Sequence, residues 1–203
     1  MANMKKSFYQ AIGDHFLKKS KDVAMAVQSS SCEQWINTEI MIALNSKKHK
    51  CLKSGEYAVN EALGKVDVVI FKGKRKFENA KHLIEVKVVY PLGGEKQIEN
   101  KLNNLYEKLN KISENCNEFC KDIKKKPRIH GLVFTVWHDL YDVNWNQHAK
   151  AVKNKMRTIF PNSEYTTQHN YTVESTPFFY VKSILVGEDE REVRIGATLF
   201  TMR

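Results

Sequence analysis

Two hydrophobic periods alternate along the chain, one near 3.6 residues and one of 2, and their order predicts a single mixed α/β domain. Phe8, Ile12 and Phe16 return every four residues and predict a first helix that ends near the KKSK run at 18–21. A second helix is expected over 32–45, CEQWINTEIMIALN. Ser30 with Glu33, and Ser31 with Gln34, have the spacing at which a hydroxyl and a carboxylate or amide satisfy the first free N–H groups. The lysine-rich stretch Lys47–Gly55 reads as a loop. Val66–Phe71 and Leu83–Tyr90 are rich in β-branched residues and read as strands joined by the polar KGKRKFENAK. Pro91-Leu92-Gly93-Gly94 ends the second strand, and a long helix is expected from about 95 to 125. Beyond Pro127, Ile129–Trp137 reads as a buried strand and Gln147–Phe160 as a basic helix. Phe178–Val186 and Glu192–Thr201 read as a C-terminal β-hairpin around GEDE.

The long helix carries Ile98, Leu102, Leu105, Leu109, Ile112, Cys116, Phe119 and Ile123 at alternating spacings of 4 and 3. That is a heptad stripe, which suits either the seam of a homodimer through the 95–125 helix or a core helix lying on a sheet. The flanking positions Glu99, Tyr106, Ser113 and Cys120, and Lys101, Lys108, Asn115 and Asp122, show no consistent charge code. The core-helix reading is therefore preferred, with dimerisation left open.

Composition narrows the class of partner. Of 203 residues, 33 are Lys or Arg and 23 Asp or Glu, a formal charge of +10 that favours a polyanion such as nucleic acid. Lys150, Lys153, Lys155 and Arg157 on the 147–160 helix are the candidate phosphate contacts. No apolar run reaches the roughly 18 residues of a membrane span, and the N-terminus has no secretory pattern, so no membrane association and a cytoplasmic location are expected. Four cysteines without a C-x-x-C pair fit reduced thiols.

Three acids and a lysine stand where surface residues are not expected. Asp67 alternates with Val69 and Phe71 on one face of an apolar strand, where an ionised group needs a partner or a metal. Glu85 and Lys87 are two residues apart and share a face of a strand apolar on both sides. Alone, an E-x-K tripeptide is far more often an amphipathic strand with an ordinary surface salt bridge. Glu39 falls between Trp35 and Ile42 on one side and Ile36 and Ala43 on the other, in the middle of its helix's apolar face, so it should point inward towards something cationic. Glu33 reads as a capping residue. His138 and His148 are ten residues apart without a third ligand, and read as core or surface residues.

In this order, a helical Glu39, then Asp67, then Glu85-x-Lys87, then a helix opening with Gln97, the chain resembles the PD-(D/E)xK, or restriction-endonuclease-like, nuclease superfamily over roughly residues 31–110. Val66 stands where the name-giving proline precedes the aspartate. The resemblance implies a mixed central sheet flanked by helices, with its core at about 31–160, and Mg²⁺-dependent hydrolysis of DNA phosphodiesters. DNA is favoured by analogy, with RNA open and Mn²⁺ as a substitute metal. It further implies that Asp67, Glu85 and the Val86 carbonyl hold the metal, that Glu39 assists directly or through water, that Lys87 orients or activates the attacking water, and that Gln97 belongs to the site. A catalytically inactive nucleic-acid-binding or interaction module is the alternative.

Overall fold

The structure is a computed structural model that describes residues 11–28, 32–45, 50–53, 66–71, 79–119, 126–160, 171–186 and 189–202. Residues 11–18 are helical (α1), the chain turns at Lys19, and Ser20–Gln28 (α2) and Cys32–Asn45 (α3) follow. The helix α2 was not expected. Val23, Ala24 and Val27 supply the short apolar stripe that forms it, and all three are buried. The capping serines 29–31 lie outside the described residues.

Lys50–Lys53 (β1) is a strand where a loop was expected, because pairing with Val68–Phe71 (β2) overrides its polar composition. The following strands are Ala80–Val89 (β3), Arg128–His138 (β4), Tyr171–Val186 (β5) and Asp189–Met202 (β6), the last two forming the expected hairpin. One six-stranded sheet results, in the order β1-β2-β3-β4-β6-β5, parallel only between β3 and β4. Parallel neighbours need a long crossover, and Gly94–Phe119 (α4) supplies it. Gly93 and Gly94, at φ of 77° and 65°, turn the chain from β3 into α4 in a region that side chains disfavour. Positions 120–125 of the expected helix lie outside the described residues. Trp145–Ile159 (α5) is capped by Asn144, whose side chain accepts from the Gln147 N–H.

The sheet separates two cores. Ile84, Val86 and Val88 of β3 face α1, α2 and α3 with Phe16, Val27 and Ile40, whereas Leu83 and Val89 face α4 and α5 with Leu102, Leu109, Val152 and Met156. Ile98, Leu102, Leu105, Leu109, Ile112 and Cys116 of the heptad stripe are all buried within this second core. A seam between two chains would require those same side chains. The result is a mixed α/β domain with helices on both faces of the sheet.

One irregularity creates the site. The pairing of β2 with β3 ends at Val68↔Ile84, while β3 continues on its other edge to Val89↔Thr135. From Glu85 onward the β2-side edge of β3 has no strand partner among the described residues, and side chains take the place of the missing strand.

Candidate active site

Asp67 lies in the bend just before β2, not inside the strand as the sequence suggested. There it crosses the edge of β3. Its Oδ2 accepts from the Val86 N–H at 2.9 Å, and its own N–H donates to Glu85 Oε1 at 3.3 Å. The two acids are thus locked together by backbone bonds to each other's segments.

Glu85 is 2% exposed and faces the α4 side of the sheet. Burial pushes its carboxyl up to about 8, and the charge of Asp67 and a hydrogen bond between the two acids push the same way against the pull of Lys108. Lys108 Nζ lies 2.5 Å from Glu85 Oε2.

Lys87, two residues along on the same face, donates to Glu33 Oε1 at 3.2 Å. The other Glu33 oxygen accepts from the Val88 N–H at 3.2 Å, so both oxygens of Glu33 reach β3, while its expected capping partner Ser30 lies outside the described residues. The Val88 carbonyl, in turn, accepts from Lys101 Nζ at 3.0 Å, and that ammonium stands 5.1 Å from the centre of the Tyr90 ring. Burial pushes Lys101 down; Glu33 and Cys32 oppose this and Lys87 adds to it. Tyr90 and Cys32 close the inner wall, with Oη and Sγ 2.6 Å apart. Burial pushes the Cys32 thiol up to about 11, so it is an inert thiol and not a nucleophile.

Glu39 points inward as its position predicts, but it does not join Asp67, Glu85 and Lys87 at the site as the resemblance implied. It is buried, with His15 Nε2 at 2.5 Å and the Lys19 ammonium at 3.0 Å. Burial works to raise its carboxyl, and the bonds from His15 and Lys19 outweigh burial and hold it below the ordinary range. The residues that meet along β3 are Glu33, Asp67, Glu85 and Lys87, with Glu39 engaged at α1 and at the turn after it. The reason is helical phase: Glu33 and Glu39 are six residues apart, about 600° of rotation, which leaves them some 120° apart around the axis. Gln97 is exposed on the first turn of α4, with its amide over Gly93.

Lys101 and Lys108 were not singled out as site residues, although the sequence held a signal for them. Both precede a stripe residue, Leu102 and Leu109, by one position and are seven apart, so they share one edge of the buried face. Seven helical residues rise about 10.5 Å and three strand residues about 10 Å, so α4 lying on β3 brings Lys101 to Val88 and Lys108 to Glu85.

On the basic helix, Lys150, Lys153 and Arg157 are exposed, whereas Lys155 is committed to Glu99 of α4 at 2.7 Å. The histidines are structural. His148 is buried with Nε2 3.4 Å from the Val89 carbonyl, and His138 Nδ1 accepts from the Leu140 N–H while its ring stacks on Tyr141.

Among the described residues no group of three or more His, Cys, Asp or Glu is arranged to hold a metal ion. The donor set at β3 is two adjoining carboxyls, which suits a hard cation that keeps most of its water, such as Mg²⁺, better than zinc with its three or four protein ligands. No helix among the described residues is long and apolar enough to cross a membrane. Compared with descriptions of known protein families, with curated proteins and with solved structures, the chain matches none.

Proposed function

We propose that the chain is a Mg²⁺-dependent nuclease of the restriction-endonuclease-like type that hydrolyses DNA phosphodiester bonds. The observation that carries this reading is the abutment of Asp67 and Glu85 where β2 leaves β3, with Lys87 two residues further along the same face. Two carboxyls brought together at the sheet edge, one of them buried, favour a cation beside them, and a phosphodiester centre needs one. Sites of this kind are where burial and neighbouring charge are found perturbing carboxyls.

In this reading Asp67 and Glu85, with the Val86 carbonyl, hold the cation. When bound it lowers the pKa of a coordinated water and offsets charge on the phosphate. Lys87, on the same strand face as Glu85 and held by Glu33, would orient the attacking water or neutralise the phosphate oxygens. Glu33 holds Lys87 in place from α3, whereas Glu39, which the resemblance placed at the metal site, lies with His15 and Lys19. Lys150, Lys153 and Arg157 offer an exposed basic row for backbone phosphates, and Lys155 braces the helix that carries it.

A second reading has one observation behind it. Lys108 on Glu85 and Lys87 on Glu33 are satisfied ion pairs, as in a binding module that keeps the acids for structure alone. Purified protein incubated with plasmid, linear and single-stranded DNA and with RNA, under Mg²⁺, Mn²⁺ or EDTA, separates the two. Cation-dependent cleavage lost in Asp67→Ala and Lys87→Ala supports the nuclease. Cleavage retained by both variants removes the proposed site, and binding without cleavage favours the module.

A further inference from the structure

The Asp67–Glu85 pair already has a cation beside it, supplied by α4. Lys108 Nζ is 2.5 Å from Glu85 Oε2, and the two ends of that contact differ sharply in exposure: the lysine side chain is 46% exposed and the glutamate side chain 3%. The acid is fixed in the core and the ammonium reaches it from solvent on a flexible four-carbon stem. Lys101, one heptad earlier, is the contrast. Its ammonium is half-buried and held by the Val88 carbonyl and the Tyr90 ring. The helix beneath both lysines is anchored by buried Leu102, Leu105 and Leu109, so Lys108 can swing away without moving α4.

We propose that Lys108 is a displaceable counter-cation: it occupies the place next to Glu85 in the cation-free protein and yields that place to the divalent cation. This rests on the reading of Asp67 and Glu85 as the cation ligands. Mg²⁺ binds carboxylate oxygen at about 2.0–2.1 Å. With the ammonium still at its present distance, two positive centres would share one buried oxygen at under about 5 Å, with little water between them to screen the repulsion. One of them has to leave, and the exposed one is free to. Lys108 thus sets the affinity of the site for its cation by competition, at no cost to the fold.

The sign of the effect distinguishes this from a structural role. A lysine that merely organised the two acids would, on removal, loosen the site and weaken cation binding, whereas removal of a competitor tightens it. The experiment is titration of the metal-stripped full chain with Mn²⁺, followed by the electron paramagnetic resonance signal of the free ion, for wild type, Lys108→Gln, Lys108→Ala, Lys108→Arg and Asp67→Asn. Loss of a partly exposed ion pair predicts about three- to fivefold tighter Mn²⁺ binding in Lys108→Gln, with wild-type affinity in Lys108→Arg. Lys108→Ala removes the same charge at an exposed position of α4 with a better helix former, and serves if the glutamine variant misfolds by circular dichroism. Unchanged or weaker binding in the charge-removing variants, with Asp67→Asn abolishing binding, overturns the competition and leaves the metal site standing. Binding absent in wild type, or indifferent to Asp67→Asn, overturns both.

Discussion

Replacing Glu85 with glutamine isolates the cost of keeping a carboxyl in the core. The amide has the same shape and its oxygen still accepts from the Asp67 N–H, while its NH₂ takes the place of the oxygen that Lys108 reaches, so the exposed ammonium turns to solvent. Burial and Asp67 hold the Glu85 carboxyl at about 8 in the folded chain against an ordinary 4.5. The sign follows from proton counting. Between pH 4.5 and 8 the unfolded chain releases a proton that the folded chain retains, so Glu85 makes stability fall as pH rises through that window, and the fall levels off above it. At about 1.36 kcal/mol per pH unit the ceiling is about 5 kcal/mol, and about 2–3 kcal/mol is expected once relaxation and water access reduce it. Denaturant unfolding in EDTA at several pH values measures the difference. Glu85→Gln should match wild type near pH 4.5 and exceed its stability by that amount near pH 8.5, while losing cleavage. A variant no more stable than wild type at pH 8.5, or a difference that does not grow with pH, would refute the buried-carboxyl argument. A gain in stability on removing the residue central to the proposed chemistry is what a functional compromise of the core looks like.

The two helical glutamates should separate cleanly. Glu33→Gln is expected to lower cleavage about 10- to 100-fold with little change in melting temperature, because it withdraws the charge that holds Lys87 from a half-exposed position. Glu39→Gln should leave cleavage per folded molecule nearly unchanged and cost about 1–3 kcal/mol in denaturant unfolding, since His15 and Lys19 lose their buried partner. Lys153→Ala with Arg157→Ala should weaken DNA binding and reduce the slope of log affinity against log salt by about one per lost phosphate contact, read by fluorescence anisotropy. Lys155→Ala, tied to Glu99, should leave that slope alone. Leu109→Ala empties a fully buried position under α4 and should cost about 2–5 kcal/mol in the same unfolding assay.

Much of the architecture is determined by side-chain periodicity. The 4-and-3 spacing from Ile98 to Cys116 specifies a helix with one buried edge, and the doubly apolar run around Glu85 specifies a strand covered on both faces. An acid two residues from a lysine on such a strand has to share its face, because strand geometry allows nothing else. Glu39's burial beside Lys19 was legible for the same reason. Local pattern fixes which way a side chain leaves its own element.

Which partner it then meets is decided by how elements are placed, and that depends on contacts distant in sequence. Nothing local to Lys50–Lys53 made it a strand; its pairing with β2 did. Glu39 went to His15 and Lys19, and Glu33 to Lys87, because α1 packs on one side of α3 while the N-terminal end of α3 abuts β3 at Lys87 and Val88. Lys108 reached Glu85 because a helical rise and a strand rise happen to match over that span. The residues of the candidate site were written along the chain, but their meeting is a property of one strand ending at Val68 and leaving its neighbour's edge to be completed by side chains.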